Sequence, residues 1–94
     1  MKGYWIARVD VTDADTYGKY AILATKAIEE HGGRFLARGG RFIAKEGQAR
    51  DRNVVVEFES LENAEKCYNS ETYKEALELA QSSSVREFII LEGV

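Results

Sequence analysis

The chain has 94 residues, of which 45% are hydrophobic and 31% charged, with a formal net charge of −3. A chain this short is expected to form one small domain with a thin margin of stability, so association with a second copy is a natural expectation. The acidic balance excludes a broad phosphate-neutralising surface, and with it nucleic acid as a partner; no apolar run reaches the length of a membrane span.

Cys67 is the only cysteine, so no internal disulfide can form and no thiolate zinc site can be built, which suits a reducing compartment. The opening Met-Lys-Gly-Tyr-Trp-Ile begins at once with strand-like alternation and lacks the pattern of a secretory leader. A cytoplasmic protein is expected.

From Gly3 to Val11 the residues alternate, with Trp5, Ala7, Val9 and Val11 on one face and Tyr4, Ile6, Arg8 and Asp10 on the other. "TDAD" comes next, with Thr12 placed to cap a helix and Asp13 and Asp15 in its first turn, where negative charge favours the positive end of the dipole. The inward stripe of that helix is Tyr17, Tyr20, Ala21, Ala24, Ala27, Ile28 and finally His31. Gly32 or Gly33 ends it.

A second strand is expected from Arg34 to about Ala44, with Gly39-Gly40 inside it marking a bulge or a close backbone approach. The polar "KEGQARDR" then reads as a hairpin loop leading to a third strand, Asn53 to Glu59, with Val54, Val56 and Phe58 on one face and Val55 and Glu57 on the other. Ser60 caps a helix carrying Leu61, Ala64, Cys67 and Tyr68. "NSET" breaks and restarts it, and the second segment places Tyr73, Ala76, Leu77 and Ala80 on one side. A last strand spans Val85 to Glu92. The whole of residues 1–94 thus reads as one domain without repeat or linker.

The order strand, helix, strand, strand, helix, strand is the split βαβ arrangement of ferredoxin-like α+β folds, with four antiparallel strands and helices on one face only. The opposite face would keep Tyr4, Ile6 and Val55 among Arg8, Glu57 and Arg38. Such a face is too apolar for water, and its charges need partners, so stacking on a second copy is expected.

Several stretches resemble the DUF1330 family of the dimeric α/β-barrel superfamily: "GYWIARVDVTDADTYGKY", "GGRFLARGG", "VVVEFESLENAEKCYNSETYKEA" and the closing "LEGV". The resemblance covers nearly the whole chain. It implies a homodimer in which two ferredoxin-like sheets pack face to face, and it implies no particular reaction. Ala14, Glu59 and Glu71 stand where the family commonly has proline, which affects only helix starts. The superfamily also holds cofactor-free monooxygenases, lactone isomerases and haem-dependent members, so the fold alone spreads over several chemistries.

The glycine pairs around "RFLAR" do not form a phosphate loop, because a helix ends at the first pair and none begins after the second. His31 is the natural proton carrier, or a haem ligand in the least favoured reading, but it equally suits the carbonyl end of its helix. No cluster of metal ligands is present, so no metal and no cofactor is expected. Tyr17, Tyr20, Tyr68 and Tyr73 fall on inward helix faces, where core packing is their default role, and beside the small Ala21, Ala24 and Ala27 the alternative is that they leave a cleft between helices and sheet. Arg38 and Glu57 on neighbouring strands would share a face and either clamp a carboxylate or pair within a dimer interface. Arg52 and Arg86 read as solvated or rim charges.

The candidate ligand-binding residues are therefore Tyr17, Tyr20, His31, Arg38, Glu57 and Tyr73, with no catalytic residue assigned. The expected function is binding of a small anionic or aromatic molecule, with cofactor-free turnover of a small carbonyl or aromatic compound as its extension. A non-catalytic homodimeric structural or interaction module is the alternative.

Overall fold

The computed structural model describes residues 1–94. The elements are β1 (Gly3–Val11), α1 (Ala14–Glu30), β2 (Arg34–Arg38), β3 (Arg52–Phe58), α2 (Leu61–Tyr68), α3 (Glu71–Ser83) and β4 (Ser84–Glu92). The strands form one antiparallel sheet in the order β2-β3-β1-β4.

Alternation along β1 is translated directly into burial: Trp5, Ala7 and Val9 are buried beneath the helices, while Tyr4, Ile6 and Arg8 face the other way. Trp5 organises the core. Its ring lies 5.1 Å from Phe58, 4.9 Å from Tyr73 and 5.2 Å from Phe88, and its indole N–H donates to the Ala64 carbonyl at 2.9 Å, so its one polar atom is satisfied.

The cap of α1 is Asp13 and not Thr12. The Asp13 carboxylate accepts from the Thr16 amide at 3.2 Å and from the Thr16 hydroxyl at 2.8 Å, and the hydroxyl bond, then the amide bond, hold its carboxyl below the usual range. Thr12 is used differently, its amide donating to the Ser83 carbonyl at 2.8 Å. The other end closes as expected. Gly32 is left-handed with φ of 69°, and the amides of Gly32 and Gly33 return to the carbonyls of Glu29 and Ile28, the paired bonds of a Schellman stop.

The "NSET" break is real, with Ser70 capping α3 through the Tyr73 amide and donating back to the Cys67 carbonyl. The second strand departs from expectation. It ends at Arg38, because Gly39 turns left-handed with φ of 66° and its amide bonds to the Asn53 carbonyl; residues 40–51 then form an irregular connection to β3. The bulge falls earlier, at Leu36, since Phe35 pairs with Val56 and Ala37 with Val55. One extra residue reverses the parity of the rest of the strand. Arg38 therefore pairs with Val54 and joins the helix-covered face, not the face of Glu57.

The uncovered face carries Tyr4, Ile6, Val55 and Glu57 with Val85, Glu87, Ile89 and Leu91 of β4; Ile89 is 55% and Leu91 50% exposed. The 40–51 connection reaches over one end of it, where Arg8 donates to the Gln48 carbonyl and Arg50 to Asp10. No helix is long and apolar enough to cross a membrane.

Candidate functional site

Two rows of the sheet build the site. In one, Arg38, Val54, Ala7 and Phe88 lie side by side across the four strands; in the next, Arg52 and Arg86 flank the buried Val9. Above them α1 presents Tyr17, Tyr20, Ala21 and Ala24, and the small alanines leave unfilled a space that larger side chains would occupy, so that a pocket remains. Eleven of its fourteen lining residues are hydrophobic, and the other three are all arginines: Arg38, Arg52 and Arg86. The space open to water within it is about 30 Å³.

Each guanidinium is held differently. Arg86 reaches inward, donating through Nη1 to the Tyr20 hydroxyl at 2.9 Å and through Nη2 to the Tyr73 hydroxyl at 3.1 Å, while those hydroxyls bond each other at 2.9 Å. Arg38 stacks 4.0 Å above the Phe35 ring and donates to the Thr25 hydroxyl at 2.7 Å. Arg52 lies over Gly39, where any side chain would collide with its guanidinium. The second glycine pair thus has a local purpose beyond the turn. The Arg52 Nε is buried without a hydrogen-bond partner.

No carboxylate approaches any of these three arginines, whereas Arg8, Arg34 and Arg50 on the other side each pair with one. Burial raises the Tyr73 phenol far above its ordinary value, with Tyr20 adding to the rise and Arg86 opposing it. The Tyr17 phenol is raised as well, by burial and then by Tyr20. Burial alone would lower the Arg86 guanidinium, but the phenols of Tyr20 and Tyr73 outweigh it and raise it further. At neutral pH the site therefore holds neutral Tyr17 and Tyr73 phenols and fixed positive charge.

Of the residues expected at the site, Tyr17, Tyr20 and Arg38 line the pocket. Tyr73 stands behind Tyr20 as its hydrogen-bond partner and is fully buried. His31 lies elsewhere, at the C-terminal cap of α1, with Nδ1 2.8 Å from the Ala27 carbonyl and its own carbonyl accepting from Asn63 at 2.7 Å. Glu57 is on the opposite side of the sheet, 3.3 Å from both the Tyr4 hydroxyl and the Arg34 Nε. It cannot form a clamp with Arg38.

The residues missed were Arg52 and Arg86, read as rim charges. Period-two counting contains the signal: Arg52 shares its face with Val54 and Val56, and Arg86 shares its face with Phe88. Chemically, three guanidiniums and a phenol on an apolar wall can hold an anion or stabilise an oxyanion as it forms. No imidazole, thiol or carboxylate lines the pocket to act as a base near neutral pH.

A four-stranded antiparallel sheet in this order, with three helices on one face, defines an α+β protein of the ferredoxin-like class. The chain belongs to the DUF1330 family, a domain of unknown function, which matches residues 2–94. No curated protein matches it. Among solved structures it is similar to a protein of unknown function from Rhodopseudomonas palustris, at 17% identity and a TM-score of 0.78, covering 99% of this chain and 82% of that one. It is also similar to SnoaB, a cofactor-independent oxygenase from Streptomyces nogalater, at 8% identity and a TM-score of 0.68, covering 99% and 93%. A third is a dimeric protein of unknown function and ferredoxin-like fold from Bacteroides fragilis, at 10% identity and a TM-score of 0.58, covering 98% and 96%. At these identities the likeness is one of fold.

Proposed function

We propose that this chain is a homodimeric small-molecule-binding domain whose inner pocket takes a small organic anion. One observation carries the reading: every non-hydrophobic residue lining the pocket is an arginine, and none of the three has a carboxylate partner. In a chain of net charge −3, acidic residues are plentiful, yet none lies where it would neutralise this site. Fixed positive charge beside an apolar wall is the complement of a carboxylate or enolate with a short apolar body.

The dimer rests on the other face of the sheet. Ile89, Leu91 and Val85 are half exposed there, while its charges are already paired, the condition under which a charged apolar face can be buried. The dimeric Bacteroides fragilis protein of the same fold supports that arrangement. Catalysis, where it occurs, would consist of stabilising an oxyanion on the bound molecule, in the manner open to a cofactor-free enzyme, since the pocket walls supply no base near neutral pH.

A thermal-shift screen of small anions at constant ionic strength tests the reading. Small carboxylates are expected to raise the melting temperature of the wild-type protein, and Arg52→Ala is expected to weaken the best of them about tenfold or more. A protein whose melting responds to no anion, or equally with and without Arg52, would instead be a self-associating structural module.

A further inference from the structure

The identity of the anion is narrowed by counting protons behind Tyr20. Tyr73 is fully buried, and its hydroxyl has two polar neighbours, Arg86 at 3.1 Å and Tyr20 at 2.9 Å. A guanidinium can only donate, so the Tyr73 proton has one destination, the Tyr20 oxygen. That oxygen also accepts from Arg86 at 2.9 Å, which fills both of its lone pairs. The Tyr20 proton is then left without an acceptor in the protein, on a side chain that lines the pocket.

Arg52 presents a second donor of the same kind, since its buried Nε has no partner. The remaining nitrogens of Arg38 and Arg86 are donors as well, and the Tyr17 oxygen is the one side-chain acceptor on the walls. A ligand that brings its own donor finds only the Tyr17 oxygen to receive it, whereas an acceptor-only ligand matches the several donors of the walls, and such differences discriminate in a desolvated site. Size narrows the ligand further. A cavity of about 150 Å³ accepts a benzene ring, whereas this one offers about 30 Å³, so even a three-carbon acid, with as many heavy atoms as benzene, enters only as lining side chains move, and bulkier anions are disfavoured.

We infer that the pocket selects a short carboxylate whose neighbouring oxygen is also an acceptor, a 2-oxo acid in preference to the corresponding 2-hydroxy or 2-amino acid. Tyr20 donates to one oxygen and the Arg52 Nε to another. The inference rests on the small-anion reading above and assigns the chemistry of that anion.

Isothermal titration of the wild-type protein with pyruvate, L-lactate and acetate at constant ionic strength tests it. All three carry the same charge, so the comparison isolates the second oxygen. Pyruvate is expected to bind about tenfold tighter than L-lactate. Tyr20→Phe, with its fold verified by near-ultraviolet circular dichroism, is expected to weaken pyruvate and bring the two affinities close together. Equal binding of pyruvate and lactate to the wild-type protein would overturn the acceptor-only assignment while leaving the small-anion reading intact. Binding of none of the three would remove both. If Tyr20→Phe does not fold, the wild-type ratio alone decides.

Discussion

The two faces of the sheet treat arginine in opposite ways. On the open face Arg8 pairs with Glu87 at 2.9 Å, Arg50 with Asp10 at 2.8 Å and Arg34 with Glu57 at 3.3 Å. Beneath the helices, Arg38 and Arg86 meet hydroxyls and aromatic rings instead, and Arg52 lies against the Gly39 backbone. Neutralised charge is what a surface needs before it can be covered by another protein. Charge left without a counter-ion in a narrow apolar cleft is what a site needs before it can hold an anion. On the proposed function, one layer of strands separates an association surface from a binding surface.

Substitutions on each side should break this contrast differently. The largest effect is expected from Ile89→Asp, which sets a carboxylate in the middle of the apolar strip: the proposed homodimer should dissociate, giving a monomer by sedimentation velocity at micromolar concentration. Next is Arg86→Ala, which deprives the Tyr20 and Tyr73 hydroxyls of their shared donor and opens a void beside Phe88. It should cost about 3 kcal/mol in chemical denaturation.

Raising the pH should then expose the acids buried under the helices. Burial, with a smaller contribution from Glu30, pushes the Cys67 thiol from 9.0 up to about 12, and the Tyr73 phenol is raised in the same sense from 10.0. A folded-state pKa above the unfolded one means that the native chain holds the proton longer, so this stability is complete below about pH 9 and is lost as the pH climbs toward 12. The melting temperature should fall over that range, and Cys67→Ala should flatten the early part of the fall. The smallest effect belongs to Arg34→Ala on the open face. Its side chain is 74% exposed, and its loss should change stability by less than about 1 kcal/mol.

Much of the architecture was legible in the residues. Alternation from Gly3 to Val11 yields β1 with its true limits, the small-and-aromatic stripe yields α1, and Ser60 and Ser70 mark the starts of α2 and α3. The site was less legible, for two physical reasons. A bulge is invisible to periodicity, so the extra residue at Leu36 carried Arg38 from the expected face to the other. Composition also biases the eye: an arginine near a strand end reads as solvated, although Arg86 keeps step with Phe88 and Ile90 and so had to enter the covered side. His31 and Glu57 failed as pocket residues through distance along the helix and parity along the strand. Hydrogen-bond direction at Tyr20 lies beyond sequence altogether, since it depends on three side chains far apart in the chain.

Bromide diffraction tests the contrast most directly. Crystals of the protein soaked in bromide and measured at its absorption edge should show an anomalous peak in the pocket, within hydrogen-bonding reach of Arg52 and the Tyr20 hydroxyl. Peaks confined to lysines and to the paired arginines of the open face, with the pocket empty, would contradict the account.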